Sequence, residues 1–326
     1  MASIGHDSSQ VADTATFSFQ AFLVQYGVYV SLAIVMLVGA ILEPQLYSSE
    51  TIFVILRQAS QLGIVAIGQT LVLLVAGLDL SVGGVIVLTS IVIAKIGNGQ
   101  DGRLPLAILA SLGFGTMIGL GNGLLVTKRN VPPLVATLGM LVLVQGGQTA
   151  YTRGLPGGFV PDLLNIVNDS VGHLPVTFLF WVLLNVIMIF VLKATPYGRK
   201  IYAVGSNREA ARLSGINVHR VLISVYILAA IFAVLSGIVL TGYVGYVDRT
   251  LGRGLDLDSI AAAVVGGTAF IGGRGGLAGT VAGVFLIQLL STLSILLGLG
   301  VEVQFIIKGL VVIGAVALYS VALREA

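Results

Sequence analysis

The chain has 326 residues, of which 56% are hydrophobic and only 10% are charged, with a formal net charge of +3. Soluble domains carry about a quarter charged residues, so this composition excludes an ordinary soluble globular protein. Cysteine is absent, and the three histidines His6, His173 and His219 are far apart in sequence. We therefore expect no disulfide framework and no metal site.

Residues 1–20 are polar and lack the basic start of a signal peptide, which predicts an N-terminal tail. Residues 21–326 are read as one transmembrane domain, because successive apolar runs are about 20 residues long, enough to cross a bilayer. The predicted spans cover residues 21–41, 52–77, 82–96, 104–127, 132–150, 174–192, 221–243, a segment from about 257, 276–297 and 303–322. The fold class predicted is an all-α polytopic membrane protein with about ten transmembrane helices.

Several polar residues lie inside these spans, where they are costly and usually face the protein interior or a solute path. Gln61 and Gln69 in the second span and Asn122 in the fourth are therefore candidates for a translocation path. Lys308 lies six residues into the last span, and we expect its long side chain to reach the outer membrane interface.

A Gly/Asp turn, GLDLSVGG at 77–84, interrupts the apolar sequence and recurs as GLDLDSIA at 254–261. A second pair of similar segments, ATLGMLVLV at 136–144 and FIIKGLVVI at 305–313, has nearly the same separation. Each copy falls five spans after its partner, and an odd number of spans inverts it, which predicts an inverted internal repeat. Chance similarity between apolar segments is the alternative. The repeat predicts that the turns at 77–84 and 254–259 lie near opposite membrane faces.

The carboxylates beside these turns have two interpretations. Asp79, Asp256 and Asp258 could be proton or ion sites, since carboxylates inside membranes are usually functional. They could instead cap the exposed N–H groups at helix starts, which is the interpretation we favour. The residues of the two predicted cap turns are Gly77, Asp79, Ser81, Gly254, Asp256 and Ser259.

Glycines recur at intervals of four within two spans, at Gly115, Gly119 and Gly123 and again at Gly279 and Gly283. Small residues at this spacing let helix backbones approach closely in lipid. We interpret them as tight packing within one subunit rather than as a dimer seam.

The basic segment 193–220 carries six basic residues against the single acid Glu209. Ser206 followed by Glu209 matches a capping box, and Gly215 favours the end of a short helix. So short a polar helix is marginal alone in water, which predicts a soluble docking partner. The predicted docking helix comprises Ser206, Asn207, Arg208, Glu209, Ala210, Ala211, Arg212, Leu213, Ser214 and Gly215.

Charge asymmetry between the loops predicts the orientation, because inner loops carry an excess of Lys and Arg. With the N-terminus inside, the basic residues of the inner side are Lys128, Arg129, Lys193, Arg199, Lys200, Arg208, Arg212, Arg220, Arg274 and Arg324. Those of the outer side are Lys95, Arg103, Arg153, Arg249 and Arg253. The tail at 1–20, both termini and the segment 193–220 are therefore expected in the cytoplasm.

No catalytic constellation is present in the sequence. It has no GxxxxGK[ST] phosphate loop, no HExxH and no Gly-x-Ser-x-Gly elbow. We expect the chain not to be an enzyme, and to bind no cofactor.

Three segments in order resemble one family. They are GIVAIGQTLVLLVAGLDLSVG at 63–83, AVGSNREAARLSGINV at 203–218 and AAAVVGGTAFIGGRGGLAGTVAGVFLI at 261–287. These segments resemble the permease subunits of ribose-type ABC sugar importers, and the similarity extends over about 58–317.

The resemblance implies a permease domain at 21–326 in the bacterial inner membrane, with 193–220 as its cytoplasmic coupling segment. It implies a homodimer, two cytoplasmic ATPase subunits that hydrolyse ATP, and a periplasmic sugar-binding protein. The solute would be a sugar or sugar-like molecule such as ribose, xylose, galactose, a polyol or a furanose signal molecule, moved inward by alternating access. The helix at 206–215 would be the coupling helix. Two alternatives remain, namely an ion-coupled secondary transporter that uses Asp79 or Asp256, and an exporter of the same superfamily.

Overall fold

The computed structural model of the chain describes residues 19–154, 157–248 and 250–324, and within these residues twelve α-helices dominate. Most of the predicted tail at 1–20, Arg249 and the C-terminal residues 325–326 lie outside the described residues. The helices are α1 (Phe19–Leu42), α2 (Ser49–Leu74), α3 (Ser81–Val92), α4 (Leu104–Lys128), α5 (Pro133–Thr152), α6 (Val176–Ala194), α7 (Pro196–Ser206), α8 (Arg208–Leu213), α9 (Val218–Val244), α10 (Leu255–Val265), α11 (Leu277–Leu296) and α12 (Val301–Arg324).

Six helices of the described residues are long and apolar enough to cross a membrane. They are Ser49–Leu74, Asp101–Lys128, Pro133–Thr152, Val176–Ala194, Val218–Val244 and Leu277–Leu296, and two shorter apolar helices are Tyr26–Leu42 and Ser81–Gly97. A helix lies at each of the ten predicted span positions. However, α3 has 12 residues and α10 has 11. At 1.5 Å per residue α10 is about 17 Å long, roughly half of the hydrocarbon thickness, whereas α3 continues as a π-helical turn, Ile93–Gly97, to a total of about 25 Å.

Two helices, α2 and α9, form the centre of the bundle. In each, 61% of the most apolar window is buried, compared with 22% in α5 and 28% in α6. Their polar side chains face the interior, as expected. Thr70 of α2 lies 2.8 Å from Thr280 of α11, and Gln288 of α11 donates to Gln58 of α2. These bonds join α2 to α11 because polar groups inside a membrane find partners on other helices.

The glycines of α4 allow its close contact with α9, which confirms the interpretation of packing within one subunit. A Cβ added to Gly119 would lie 2.6 Å from the carbonyl oxygen of Tyr226, and one added to Gly123 would lie 2.8 Å from the Cα of Ile223. Since Gly123 faces the start of α9 and Gly115 faces the later residue Val234, the two helices are antiparallel. The glycines of α11 make equally close contacts with the end of α10.

Helix contacts in the first half of the chain have counterparts in the second half. α4 packs on α9 and α11 packs on α2, while α3 contacts α9 and α10 contacts α2. Likewise α5 packs on α3 and α4, and α12 packs on α10 and α11. The pairs α2 and α9, α3 and α10, α4 and α11, and α5 and α12 therefore make corresponding contacts.

The two Gly/Asp turns lie side by side, so the prediction that they lie near opposite membrane faces is wrong. A Cβ added to Gly83, in the first turn of α3, would lie 3.3 Å from the Cβ of Asp256 in the first turn of α10. The physical reason is helix length: α10, which the second turn opens, is too short to cross a bilayer, so it begins at depth rather than at a surface. From this shared starting point α3 and α10 run toward opposite ends of the bundle.

One end of the bundle carries α7 and α8, and we call it the α8 side. The other end, the hairpin side, carries the antiparallel strands β1 (Ser170–Val171) and β2 (Leu174–Pro175). Arg57 of α2 holds this end together, since its guanidinium donates to the carbonyl of Asn168 at 2.8 Å and lies over the ring of Phe53. The Asn168 amide in turn donates to the carbonyl of Gly242 in α9.

The packing of α4 on α9 predicts opposite effects for two glycines of the same helix. Gly119→Ala should destabilise the protein by about 1–3 kcal/mol, because its Cβ meets the backbone of α9. Gly113→Ala is the matched control, because a Cβ there has no atom within 4 Å, and it should be neutral or stabilising. Thermal unfolding of both variants in detergent measures the difference. Equal stability would contradict the antiparallel contact of α4 with α9.

Candidate functional site

The short helix α8 is capped by a residue that differs from the predicted one. The side chain of Asn207 accepts a hydrogen bond from the Ala210 N–H at 3.0 Å, which satisfies one of the free N–H groups of a helix start. Ser206 is the last residue of α7. The predicted capping box of Ser206 and Glu209 is therefore wrong, because the chain continues as α7 through Ser206 and the cap falls one residue later.

The end of α8 confirms the role of Gly215. Its φ is +80°, its N–H donates to Arg212, and the next N–H, of Ile216, donates to Ala211, both at 3.0 Å. These two bonds form a Schellman motif, which satisfies carbonyls that the helix leaves free. The helix is thus closed at both ends, although it has only six residues.

The outward surface of α8 carries an ion pair beside an exposed leucine. Arg212 donates two hydrogen bonds to the Glu209 carboxylate, at 2.6 and 3.1 Å, and these bonds hold the pKa of Glu209 below its usual range. The two side chains are 69% and 63% exposed, and Leu213 is 79% exposed. Only Ala211 is buried, against the rest of the chain.

The first residue of α8 ties this helix to the transmembrane bundle. The Arg208 guanidinium donates to the carbonyl of Val75 at 3.0 Å and to that of Ala76 at 3.5 Å, at the end of α2. A cation suits this position, because the last carbonyls of a helix lack partners and carry partial negative charge. Ala76 itself has φ of +55°, a left-handed conformation that costs a non-glycine residue about 1 kcal/mol or more. We call this contact the Arg208 tether.

Close backbone contacts surround the tether, at a place we call the glycine junction, comprising Gly205, Gly272 and Gly273. A Cβ added to Gly205 would lie 1.8 Å from the Leu74 carbonyl, and one added to Gly272 would lie 2.8 Å from the Ala76 nitrogen. The Gly273 N–H donates to the Leu74 carbonyl at 2.9 Å. The end of α2, the end of α7 and the loop between α10 and α11 therefore meet without intervening side chains.

A buried polar cluster lies just beyond the tether and contains Gln69, Asp79, Ser81 and Asn122, all with 0% exposure. Asp79 Oδ1 accepts from the Ser81 N–H at 2.8 Å and from the Ser81 hydroxyl at 2.6 Å. Asn122 donates to the Ser81 hydroxyl at 2.8 Å, and Gln69 donates to the Asp79 carbonyl. Asp79 therefore satisfies an N–H group at the start of α3, as expected for a helix-capping carboxylate, although the N-cap position itself is Leu80.

The predicted path residues separate into two places. Gln69 and Asn122 belong to the buried cluster around Asp79. Gln61 is buried nearer the start of α2, where its backbone carbonyl accepts a hydrogen bond from the Ser236 hydroxyl. The structure therefore does not bring these three side chains together. Gly77, the first residue of the first turn, lies beside the Tyr226 hydroxyl of α9.

The second turn is built differently from the first. Gly254, with φ of +88°, precedes α10, and no side chain caps this helix. The predicted capping by Asp256 and Ser259 is wrong, because both lie within the first turns of α10, where the Ser259 hydroxyl donates to the Asp256 carbonyl. A carboxylate in the first turn of a helix is stabilised by the partial positive charge of the helix N-terminus. Asp258 instead pairs with Lys308.

Lys308 does not extend to the membrane interface, so that prediction is wrong. Its ammonium lies 2.7 Å from Asp258 Oδ2, and the two side chains are only 17% and 18% exposed. An opposite charge on the neighbouring helix gives the lysine a nearer partner than the interface. The ion pair fixes α12 against α10.

The chain matches the family described as "Branched-chain amino acid transport system / permease component" over residues 51–318. It is 35% identical to the ribose import permease protein RbsC of Haemophilus influenzae over 93% of this chain and 95% of that protein. It is 35% identical to the fructose import permease protein FrcC of Rhizobium meliloti, over 86% of this chain and 80% of that protein. It is 32% identical to the galactose/methyl galactoside import permease protein MglC of Escherichia coli, over 93% of this chain and 96% of that protein. No solved structure matches the chain.

The chain belongs to this transport permease family. It is a multi-pass protein of the inner membrane. The sequence analysis did not identify Ala76, Gly272 or Gly273 as residues of the site. It also did not identify the hydrogen bonds of Arg208 to the end of α2. The signal for Gly272 and Gly273 is present as the GGRGG run, but nothing in the sequence pairs that run with residue 76.

The cluster around Asp79 predicts how this permease responds to substitution there. Asp79→Asn keeps the Oδ1 acceptor for both bonds from Ser81, so folding and transport should fall only modestly. Asp79→Ala removes the acceptor from a buried site and should cost about 1–3 kcal/mol of stability. Thermal unfolding and solute uptake by both variants measure these effects. Loss of uptake by a normally stable Asp79→Asn protein would instead indicate an ion or gating role for the carboxylate.

Proposed function

We propose that the chain is the permease subunit of an ABC importer that moves a sugar or sugar-like solute inward, driven by separate ATPase subunits. The observation that carries the proposal is α8: a helix closed at both ends, exposed on its outer surface and tied at its base to α2. The relatives named for ribose, fructose and galactose import support a sugar as the solute. The chain itself binds no cofactor in this proposal, since the partner hydrolyses ATP.

The coupling helix of this proposal is the segment 206–215, of which α8 is the ordered core. Its outer surface offers Leu213 as an apolar anchor beside the ion pair of Glu209 and Arg212. An apolar side chain surrounded by polar groups is typical of the centre and rim of a protein interface. The two caps hold this surface in one conformation before the partner binds, which lowers the entropic cost of docking.

The distribution of charge supports a cytoplasmic location for the α8 side. Its exposed basic residues are Lys128, Arg129, Lys193, Arg199, Lys200, Arg208, Arg212, Arg220 and Arg274. Among the described residues, Glu209 is the single exposed acid there. Such an excess of Lys and Arg marks the inner side of a membrane protein. The hairpin side then faces the periplasmic binding protein.

We also propose ten membrane segments arranged as an inverted repeat, α2–α5 with α9–α12. The corresponding contacts of the two halves support it, as does the opposite direction of α3 and α10 from their shared start. In this arrangement α3 and α10 are unusually short helices at corresponding positions, a feature of transporters built from inverted repeats.

A second copy of the chain would complete the permease as a homodimer. The support is α5, the least buried of the six long apolar helices, which exposes Gly139, Gly146 and Gly147. Gly139 and Gly146 are seven residues apart and therefore lie on one face. Exposed small residues on an apolar helix favour close contact with another helix in the membrane.

An ion-coupled transporter is less well supported by the carboxylates. Asp79 satisfies an N–H group at the start of α3, and Asp256 lies in the first turn of α10, where the partial positive charge of the helix end already favours a carboxylate. The family description also names branched-chain amino acids, so the test of function should include one. We expect the chain, reconstituted with an ATPase and a binding protein, to import labelled ribose, fructose or galactose but not leucine. Import that continues without ATP would contradict the proposal.

The exposed surface of α8 predicts a loss of docking that leaves the fold intact. Leu213→Asp and Arg212→Glu should abolish copurification of the ATPase and reduce uptake about tenfold or more, because central interface residues dominate binding. Exposed ion pairs contribute little to stability, so thermal unfolding should change little. Arg103→Glu on the hairpin side is the matched charge reversal and should retain the ATPase. Wild-type uptake by Leu213→Asp would show that α8 does not dock the ATPase.

The Arg208 tether predicts a different defect. Arg208→Gln replaces the guanidinium with a shorter, uncharged side chain and so removes the contact with the carbonyls of Val75 and Ala76. It leaves the outer surface of α8 unchanged. The ATPase should still copurify, and its ATP hydrolysis should continue, while uptake falls about tenfold, as expected for loss of a hydrogen bond to a charged group. Lys200→Gln, an exposed basic residue of α7, is the control. If Arg208→Gln loses the ATPase as Leu213→Asp does, Arg208 acts in docking and not as a tether.

A further inference from the structure

A cavity of about 300 Å³ lies where the two Gly/Asp turns meet. One wall is the start of α3, another is α5, and the third is the loop that leads into α10. The residues that matter below are Gly83, Gln145, Arg253 and Asp256, all of which line this cavity. Its volume is at the lower end of the range for small-molecule sites. We call it the turn cavity.

The wall of the turn cavity depends on glycine at three positions. Gly83 lets Asp256 lie directly against α3, since a Cβ at residue 83 would be 3.3 Å from the Asp256 side chain. Gly252 and Gly254 have φ of +74° and +88°, so the loop before α10 turns twice through conformations that favour glycine. Asp248 accepts from the N–H and the hydroxyl of Thr250, both at 2.6 Å, which fixes the start of this loop.

Three polar side chains line the cavity without partners of their own. Within the described residues, Gln145, Arg253 and Asp256 have no side-chain hydrogen bond or ion pair, and since Gln145 and Arg253 are exposed and Asp256 is half-buried, their polar groups are open to the cavity. The contrast with Asp258 is direct, since that carboxylate lies two residues along the same helix and is paired with Lys308. An amide, a cation and a carboxylate are thus left free toward one space.

We infer that the turn cavity binds the transported solute during passage, and that the solute is an uncharged polyhydroxylated molecule such as a monosaccharide. The inference rests on the proposed import function and assigns part of the path that the solute takes through the permease. Hydroxyl groups can donate to Asp256 and accept from Arg253 and Gln145, so one neutral solute satisfies all three side chains. The opposite charges of Arg253 and Asp256 leave the lining without a net charge, which suits a neutral solute better than an ion.

The position of the cavity in the bundle supports this assignment. α3 and α10 both begin beside it and run apart, so the partial positive charges of two helix starts face the same region. Transporters with inverted repeats place their solute at the start of such half-length helices, near the middle of the membrane. The earlier candidates Gln69 and Asn122 line no part of this cavity, because both are bonded into the cluster around Asp79.

The absence of cysteine from the sequence allows a direct test of solvent access. Gln145→Cys, in the full complex with ATPase and binding protein, should react with the small anionic reagent 2-sulfonatoethyl methanethiosulfonate, because a solute path contains water. Leu143→Cys is the control, since Leu143 is 67% exposed on the same helix but lines no part of the cavity. It should not react. Labelling of Gln145→Cys should reduce ribose, fructose or galactose uptake about tenfold, and excess sugar should slow the labelling.

The outcomes distinguish a failure of the cavity assignment from a failure of the proposed import function. Equal or absent labelling of Gln145→Cys and Leu143→Cys, in complexes that import sugar before treatment, would overturn the cavity assignment and leave the import function standing. A wild-type complex that imports no sugar at all would overturn the proposed function instead. Asp256→Asn provides a second readout: its initial uptake rate should fall about tenfold, the effect of weakening one hydrogen bond to a charged group, with normal thermal stability and normal ATPase copurification. Unchanged uptake by Asp256→Asn would also count against the cavity.

Discussion

The contact on which the rest of the structure depends is the hydrogen bond from the Arg208 guanidinium to the carbonyl groups at the end of α2. A helix leaves its last carbonyls without partners inside the helix, and α2 ends at a partly buried position on the α8 side. A cation from α8 fills that role, and the partial negative charge of the helix end makes it favourable. The same contact makes α8 part of the bundle. Without it, a six-residue helix with one buried side chain would have little to hold it in place.

The glycine junction shows why this contact can transmit displacement. Gly205, Gly272 and Gly273 bring three backbone segments into direct contact. Because no flexible side chain lies between them, a displacement of one segment is passed to the others. Ala76 lies within this contact in a left-handed conformation that is unfavourable for alanine. Such strain persists where surrounding contacts hold it, and it is common at segments that switch between states. In the proposed importer, a displaced α8 would therefore move the end of α2 and the turn that follows it.

Much of the architecture could be predicted from the sequence, because apolar runs and their lengths follow directly from the thickness of a bilayer. The basic segment, its short helix and the end at Gly215 were also readable, since each has a local sequence signal. The cap was misplaced because Ser206 and Asn207 are both good N-cap residues, and only the end of α7 decides between them. The depth of the Gly/Asp turns could not be read, because hydropathy does not distinguish a half-length helix from a short span. The partner of Lys308 is 50 residues away in sequence, and no local pattern identifies it.

The first Gly/Asp turn connects the α8 side of the molecule to the turn cavity within eight residues, 76–83. Ala76 is held by Arg208, Asp79 caps α3, and Gly83 forms a wall of the cavity against Asp256. The hydroxyl of Thr137 on α5 donates to the Leu78 carbonyl at 3.3 Å, so the same turn also contacts the helix that carries Gln145. A shift of α8 would thus reach two walls of the cavity through one segment, 76–83. A ligand or partner changes a conformational equilibrium only through contacts that differ between the two states. If α8 docks the ATPase and the turn cavity binds the solute, as proposed, residues 76–83 are the segment where the contacts of both can change, and the equilibrium between inward and outward access would depend on this turn rather than on the long helices around it.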